Sequence, residues 1–162
     1  MPFLPDASQI GLISDTHGLL RPEAVEALRG SHLILHAGDV GDPKILTALR
    51  GLASVVAIRG NVDTEPWAKS LPATEVVTAA GVNIYMLHNR DSLDLVPEAA
   101  GFSIVLSGHS HKPGQESRRG VLYINPGSAG PRRFKLPISV ARLNLKVEPW
   151  NTEFVTLKSN AG

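Results

Sequence analysis

Five short apolar runs in this 162-residue chain each end in polar residues of the kinds that bind metal ions. The runs start at Ile10, Leu33, Val55, Ile84 and Ile104, and the polar groups that follow them are Asp15-Thr16-His17, Gly38-Asp39, Gly60-Asn61, His88 and Gly108-His109-Ser110-His111. Sites in open α/β sheets form at the carboxyl edge, so we expect five strands to deliver these side chains to one edge of one sheet. Aspartate, histidine and asparagine together suit borderline divalent ions, and the set is large enough for two of them.

The first half of the chain alternates predicted strands with predicted helices. One helix is expected over residues 21–28, with Gly30 as the stop. A second is expected over residues 42–49, with Asp42 as N-cap and Pro43 at the first helical position. Two β-α-β crossovers follow, and such crossovers imply parallel strands with right-handed connections.

The second half is predicted to be richer in strands. Residues 75–78 and 82–87 are separated by Ala79-Ala80-Gly81, which predicts a hairpin. A short helix is expected within residues 92–100, limited by Pro97. Partial alternation of apolar and polar residues predicts a half-buried antiparallel sheet from strands over residues 121–125, 138–145 and 153–157.

Length and composition indicate one globular domain over residues 1–162, with residues 158–162 as a loose tail. Hydrophobic residues make up 43% of the chain and charged residues 19%, which is ordinary for a soluble protein. The first nine residues do not resemble a signal peptide, and no apolar run approaches the ~18 residues of a membrane span. The absence of cysteine excludes disulfides and thiolate metal sites and is compatible with the cytoplasmic location that we expect. From the residues alone, either one mixed sheet or two packed sheets, with helices outside, would satisfy this pattern.

The aspartates and the asparagine each have a simpler explanation when taken singly. Asp15 can cap the following helix while His17 lies on the surface, and Asp39 can form an Asx turn. Gly-Asn is a common turn dipeptide, so on the residues alone a turn is the better explanation of Asn61. A glycine before Asp39 and before Asn61 would also let the backbone approach a ligand closely, which is what a site would need.

The histidines divide into two groups. A lone histidine at a strand end is more often structural, but His88, His109 and His111 stand behind two separate apolar runs and are hard to explain by packing. We expect His36, which lies inside its apolar run, to have a structural role or to support a ligand. We expect His32 to be exposed.

The ordered set D-x-H, G-D, G-N, H and G-H-x-H resembles the calcineurin-like metallophosphoesterase superfamily. Asn125-Pro126-Gly127-Ser128 and the short length resemble its small bacterial and archaeal branch, the YfcE-like phosphodiesterases. The resemblance extends from about Ile10 to about Ser128. It implies an α/β fold in the form of a four-layer α/β/β/α sandwich, with two mixed sheets flanked by helices. It also makes the Asn125–Ser128 segment a turn that supports the site floor.

The resemblance further implies a dinuclear centre in which Asp39 bridges two divalent ions. We expect manganese first, with nickel, iron, zinc or magnesium as alternatives. The implied ligands are Asp15, His17, Asp39 and His111 for the first ion, and Asp39, Asn61, His88 and His109 for the second. Such a centre would hydrolyse a phosphodiester by in-line attack of a metal-bridging hydroxide, with Asp39, Asn61 and His88 as the catalytic residues.

Two departures from the family pattern affect the predicted chemistry. Many relatives have histidine after the asparagine, where it helps to protonate the leaving group, but this chain has Val62. If another residue donates the proton, Asp63 is one candidate, and Arg90 could assist only through its positive charge. Arg90 stands where relatives often read H-G-H; we include it among the catalytic candidates as a phosphate contact, with a solvated charge as the alternative.

The leading functional prediction is a metal-dependent phosphodiesterase acting on a small phosphodiester. The alternative is a non-catalytic protein-interaction scaffold on the same fold, as in the retromer scaffold subunit, which has lost part of its metal chemistry. A nuclease would need a basic groove or a stacking platform, and a net charge of +1 with 5% aromatic residues does not indicate one, so nucleic acid is disfavoured. We expect no membrane partner and leave self-association into a homo-oligomer open.

Overall fold

The computed structural model describes residues 2–158, which form two β-sheets connected by short helices. The strands are β1 (Phe3–Leu4), β2 (Gln9–Ile13), β3 (Leu33–His36), β4 (Ser54–Ala57), β5 (Thr74–Ala79), β6 (Val82–Leu87), β7 (Ile104–Leu106), β8 (Gly114–Arg118), β9 (Val121–Asn125), β10 (Ser139–Asn144) and β11 (Thr152–Thr156). The α-helices are α1 (Pro22–Ala27), α2 (Pro43–Arg50) and α3 (Pro97–Ala100), and 3₁₀ helices span Pro66–Ser70 and Arg90–Ser92. Apart from Lys158, the predicted loose tail lies outside the described residues. No helix among residues 2–158 is both long and apolar enough to cross a membrane.

The first sheet has five strands in the order β11-β10-β2-β3-β4. Strands β2, β3 and β4 are parallel, as the two predicted crossovers require, while β10 is antiparallel to both β2 and β11. Helix α2 begins as predicted: Pro43 occupies its first turn, and the Asp42 side chain accepts a hydrogen bond from the Lys44 amide at 2.9 Å. Helices α1 and α2 cover the outer face of this sheet, where Leu28 and Leu49 are buried in one cluster with Ile34.

The second sheet has six strands in the order β1-β5-β6-β7-β9-β8. Strands β5 and β6 form the predicted antiparallel hairpin, and β6, β7 and β9 run parallel. The short helix predicted within residues 92–100 is present as α3 but covers only Pro97–Ala100, and a separate 3₁₀ turn spans Arg90–Ser92. The reason is Pro97, which disfavours helical conformation in the preceding residue, so that Val96 is extended. These turns and Phe102, whose ring stacks on Tyr85 at 5.1 Å, cover the outer face of the sheet.

A continuous apolar core fills the space between the sheets. Leu12 and Leu35 project from the first sheet into the same cluster as Ile84, Met86 and Leu106 from the second. The layers therefore run helix, sheet, sheet, helix, which confirms the four-layer fold, although one outer layer consists only of short helical segments.

Two predictions about strand pairing were wrong. The five site-bearing strands do not belong to one sheet, since β2, β3 and β4 lie in the first and β6 and β7 in the second. The three C-terminal strands do not form one antiparallel sheet either, because β9 pairs in parallel with β7 and leaves β10 and β11 to the first sheet. Apolar runs identify strands but carry no information on which strands pair across the chain. The polar groups nevertheless meet, because both sheets turn their carboxyl ends toward a shared rim.

Candidate metal centre

The polar groups leave their strands through unusually sharp turns. Within residues 2–158, eight non-glycine residues have positive φ, and five of them are predicted ligands: Asp15, His17, Asp39, His109 and His111. Left-handed backbone is uncommon outside glycine, costs about 1–3 kcal/mol per residue and clusters at functional sites. These turns are held by paired backbone bonds between neighbouring loops, including Asp15 N–H to Gly38 O at 3.0 Å.

Two buried carboxylates form the middle of the site. Oδ1 of Asp15 lies 3.7 Å from His17 Nε2, 3.8 Å from His88 Nε2 and 3.3 Å from His111 Nε2. Oδ2 of Asp39 lies 3.6 Å from His17 Nε2 and 3.1 Å from His88 Nε2. Two groups of potential ligands result, Asp15 with His17 and His111, and Asp15 with Asp39 and His88, each with ligand atoms within 4.8 Å of one another.

The donor atoms at this centre fit divalent cations. Among the described residues, Asp15 Oδ1, His17 Nε2 and His88 Nε2 are buried yet have no hydrogen-bond partner. A buried polar atom without a partner is costly. Oxygen and nitrogen ligands lie about 2.0–2.2 Å from an ion such as Zn²⁺, so adjacent ligands of one ion are about 3–4 Å apart. The observed separations match this spacing, and the residues present therefore fit metal ions.

The histidine rings are arranged in two pairs. The rings of His17 and His111 have centroids 5.5 Å apart, and those of His88 and His109 have centroids 5.3 Å apart. The family resemblance assigns the first pair, His17 and His111, to the first ion. It assigns the second pair, His88 and His109, to the second ion.

Asn61 and His109 lie at the open side of the centre rather than in its buried middle. Both are exposed, and both line one cleft together with His88. Arg90 lines a second cleft beside His109, where its Nη1 donates to Glu116 at 3.1 Å. The structure therefore brings five predicted ligands into direct proximity and leaves Asn61 and His109 at the rim.

In two histidines, a backbone group determines which ring nitrogen carries the proton in the neutral imidazole. His88 Nδ1 lies 2.8 Å from Ala37 O, so this nitrogen carries the proton and donates, which leaves Nε2 free to bind a cation. His36 has the opposite arrangement, because its Nδ1 accepts from Gly38 N–H at 3.1 Å and its Nε2–H donates to Thr16 Oγ1 at 3.0 Å. His36 thus joins the turn that carries Asp39 to the turn that carries Asp15, which agrees with the structural or supporting role predicted for it.

The same contacts set the proton equilibria of the acidic groups. Burial alone would raise the pKa of Asp15, but the imidazoles of His111 and His17 and the Ser14 hydroxyl outweigh it and hold that pKa well below its usual value. Burial likewise opposes ionisation of Asp39, yet its pKa is lowered by His88 and by the Val62 N–H. Both side chains are therefore carboxylates at neutral pH, the form that binds cations.

The pKa values of His17 and His88 shift in the opposite direction, upward. The neighbouring Asp15 carboxylate raises the pKa of His17, although burial opposes this. Burial lowers the pKa of His88, but Asp39 and the Ala37 carbonyl raise it by more. Protons and cations therefore compete for these two imidazoles.

Asp63, the predicted alternative proton donor, has a different role. Its carboxylate is buried and accepts three backbone N–H bonds, from Val40 at 3.0 Å, Gly41 at 3.0 Å and Gly60 at 2.9 Å. Both oxygens are occupied, so Asp63 clamps the turn after β3 to the turn after β4 and is not placed to protonate a leaving group. A single Asp in a turn gives no sequence signal of such a clamp.

Two glycines allow these turns to approach one another. A side chain at Gly60 would collide with Asp39, and one at Gly108 would collide with Ser14 and Asp15. Ser14, which sequence reasoning missed, donates its Oγ–H to Asp15 Oδ2 at 2.6 Å. The glycines before the predicted ligands are thus required by close packing at the site.

The segment Asn125–Ser128 supports the site from below. Asn125 Nδ2 donates to Gly108 O at 2.9 Å, and Ser128 Oγ donates to Asp15 O at 3.0 Å. The segment therefore fixes the backbones that carry His109 and Asp15, which is the supporting role predicted for it.

The fold and the site are together those of the class of metal-binding phosphoesterases. Two mixed sheets pack face to face, and carboxylates and imidazoles lie at their common rim. Residues 9–148 match the calcineurin-like phosphoesterase superfamily domain, and the chain belongs to this superfamily. A probable metallophosphoesterase of Methanocaldococcus jannaschii is 37% identical over 132 residues, which cover 74% of this chain and 67% of that protein.

Solved structures show the same fold. An archaeal phosphodiesterase superposes with a TM-score of 0.76 at 22% identity, covering 91% of this chain and 99% of its own. The Yfce phosphoesterase of E. coli has a TM-score of 0.67 at 22% identity and coverages of 93% and 100%. Vps29 of Chaetomium thermophilum has a TM-score of 0.74 at 21% identity, with coverages of 94% and 98%. At these identities the likeness shows the fold alone.

Proposed function

We propose that this chain is a dinuclear metal-dependent phosphodiesterase, built as a single domain over residues 1–162. The observation that carries the proposal is the convergence of two buried carboxylates, Asp15 and Asp39, with His17, His88 and His111. Buried charges need partners, and at this site the donor atoms left without hydrogen bonds face one another, as ligands around cations do.

We assign seven ligands to two ions. The position of Asp39 Oδ2, within 3.6 Å of His17 and 3.1 Å of His88, supports a bridging role, because these two histidines belong to different ions in the assignment. Oδ1 of Asp39 accepts from Val62 N–H at 3.0 Å, which orients the carboxylate. The proposed first-ion ligands are Asp15, His17, Asp39 and His111, and the proposed second-ion ligands are Asp39, Asn61, His88 and His109.

Bound cations would act as Lewis acids. They would lower the pKa of bound water, which makes a nucleophile available at neutral pH, and would offset the phosphate charge during in-line displacement. The chain contributes two carboxylates with depressed pKa and the fixed Nε2 face of His88. Mixed oxygen and nitrogen donors suit several divalent ions. The family resemblance puts manganese first, with nickel, iron, zinc and magnesium as alternatives. The Val62 side chain has no ionisable proton, and the Asp63 carboxylate is fully engaged by backbone N–H groups. Neither supplies a leaving-group proton, so aryl diesters are the favoured assay substrates.

The substrate and setting follow from the same proposal. We propose a small phosphodiester as the substrate, and a fold shared with an archaeal phosphodiesterase makes a diester the first compound to assay. We propose a cytoplasmic location and no membrane or nucleic-acid partner, and we leave homo-oligomerisation open.

The likeness to Vps29 favours one further candidate, a non-catalytic protein-interaction scaffold on the same fold. Such a scaffold needs no ligand set, whereas all seven positions here carry side chains able to bind metal. Metal-dependent turnover distinguishes the two.

The test is hydrolysis of bis(p-nitrophenyl) phosphate by metal-depleted protein to which Mn²⁺, Ni²⁺, Mg²⁺ or Zn²⁺ is added back. We expect Asp39→Asn to reduce kcat/KM at least about 1,000-fold and to lower the number of bound ions, because an amide cannot replace a bridging carboxylate. Asp42→Asn is the matched control, since asparagine caps a helix as well as aspartate does. No metal-stimulated hydrolysis, together with specific protein binding at this face, would establish the scaffold instead.

A further inference from the structure

A short exposed loop projects between β9 and β10, beside the candidate metal centre. Residues 126–130 are buried, residues 131–135 are exposed, and the chain is buried again from Ile138. Ser128 and Ile138 pair as a parallel bridge, so the loop leaves and rejoins the body of the protein at one point. We call residues 131–137, with the sequence Pro-Arg-Arg-Phe-Lys-Leu-Pro, the basic loop.

The base of the basic loop packs against the turn that carries two of the proposed first-ion ligands. A Cβ at Gly130 would collide with the backbone carbonyl oxygens of Asp15 and Thr16. Three residues of chain span at most about 11 Å, so the Cα of Arg133 lies within that distance of Gly130. The basic loop therefore stands next to His17, which follows Thr16.

The charge of the basic loop reaches the metal centre. Asp15 raises the pKa of His17, and the positive charge of Arg133 opposes this rise. The His17 side chain is 21% exposed, so the centre is open to a substrate on this side. Charges are screened only over about 10 Å in 0.1 M salt, so an anion bound beside His17 would be attracted by Arg133.

The positive charge of the basic loop has no counter-charge in the described part of the chain. Its cations are Arg132, Arg133 and Lys135, and it contains no acidic residue. None of the three forms an ion pair within residues 2–158. By contrast, the other Arg-Arg pair of the chain is compensated, because Arg118 lies 3.5 Å from Glu116 and Arg119 lies 3.7 Å from Glu98. The whole chain has a net charge of only +1, so its positive charge is concentrated beside the centre.

The backbone of the basic loop is held in a strained turn. Phe134 has a φ of 55° although its side chain is 87% exposed, and Leu136 N–H donates to Arg133 O at 3.2 Å. Pro131 and Pro137 fix φ near the two ends of the loop. Strained non-glycine backbone clusters at binding sites, and a preformed loop loses less conformational entropy when it binds a ligand.

We propose that the basic loop binds a second phosphate group, carried on one ester arm of the substrate, with Arg133 as the principal contact. This inference rests on the proposed phosphodiesterase activity and specifies its substrate class, a small diester with a phosphate-bearing arm. Three cations on one loop match a multiply charged group, and the arginine fork matches the oxygen atoms of phosphate. A loop of this length spans one such group, whereas a nucleic acid would need a basic groove along several phosphates.

The test uses three p-nitrophenyl diesters that share a leaving group and differ in the second arm: propyl, 3-phosphonopropyl and 3-(trimethylammonio)propyl. The phosphonate stands in for the phosphate and is not itself hydrolysed. For the Mn²⁺-loaded protein we expect kcat/KM for the phosphonopropyl diester to exceed that for the propyl diester at least about tenfold, since exposed charge pairs are weak singly and several act together. The trimethylammonio diester should be the slowest of the three. Raising NaCl to about 0.5 M should reduce the gain.

Variants of the loop test the origin of the gain. Arg133→Gln should lower the phosphonopropyl-to-propyl ratio several-fold, and the triple variant Arg132→Gln, Arg133→Gln, Lys135→Gln should bring it to about one. Arg133→Lys keeps the charge without the fork and should retain part of the ratio. Lys146→Gln is the matched control and should leave the ratio intact. Lys146 is exposed and lies beyond the end of β10 that pairs with the start of β2, at the opposite end of the sheet from the ligands.

A ratio near one in the wild-type protein, or a ratio that survives removal of all three charges, would overturn the inference while leaving the activity established. Faster hydrolysis of a short single-stranded DNA than of the phosphonopropyl diester would overturn it in favour of a nuclease. Failure to hydrolyse any of the three diesters with any of the metals would overturn the proposed function and this inference with it.

Discussion

His36 shows how one buried side chain can couple the site to pH. Burial lowers the pKa of His36 to about 4, against about 6.5 for an unperturbed histidine. Between these values the folded state binds fewer protons than the unfolded state. The stability that neutral His36 contributes is therefore complete above about pH 6.5 and is lost as the pH falls toward 4.

We expect this residue alone to account for about 3 kcal/mol of the unfolding free energy lost between pH 7 and pH 4, from about 1.4 kcal/mol per pKa unit. His36→Asn should retain the acceptor for Gly38 N–H but remove that share of the pH dependence. Urea unfolding of both metal-free proteins across this range measures the difference. His32→Asn, at an exposed histidine, is the control, and parallel profiles for wild type and His36→Asn would refute the expectation.

At the element scale, the turns after β3 and β4 depend on Asp63. Asp63→Ala leaves three backbone N–H groups without their acceptor, and each buried unsatisfied group costs about 1–3 kcal/mol. We expect a loss of about 3 kcal/mol in unfolding free energy and a 10- to 100-fold loss in Mn²⁺ affinity, since Asp39 and Asn61 stand on the clamped turns.

Urea unfolding and titration calorimetry measure these two effects. Asp63→Asn, which keeps one acceptor oxygen, should fall between Asp63→Ala and wild type. Asp6→Ala, at an exposed aspartate in the loop after β1, should change neither quantity. Wild-type Mn²⁺ affinity in Asp63→Ala would mean that the clamp does not position the ligands.

Elements were predictable where their signals are local. The Asp42-Pro43 pair marked the start of α2, and apolar runs marked the strands that carry the site. Strand β8 was missed because its residues are exposed or half-buried at a sheet edge, which leaves no apolar run to detect. The division of site-bearing strands between two sheets was missed because pairing depends on contacts distant in sequence. The ligand residues at strand ends could be identified because their pattern is local in the sequence. The place where they meet could not, because it depends on how distant strands pair.

At the scale of the whole molecule, the core and the candidate metal centre are separable. The apolar cluster between the sheets and the cluster beneath α1 and α2 are buried without any contribution from Asp15 or Asp39. The site lies at the rim, where its turns are also tied together by backbone bonds and by Asp63. A core of this size does not need a metal to fold, unlike that of a small zinc-dependent domain.

Metal removal should therefore abolish diesterase activity and leave the fold. We expect chelator-treated protein to keep its circular dichroism spectrum and a cooperative thermal transition. Binding to the folded state alone adds about 2.7 kcal/mol at a cation concentration 100 times Kd, so Mn²⁺ at that concentration should raise Tm by roughly 5–10 °C. Asp39→Asn should show little of this rise, because its site has lost the central carboxylate, while Asp42→Asn should show all of it. Cooperative unfolding on adding chelator at room temperature would mean that the ions hold the two sheets together.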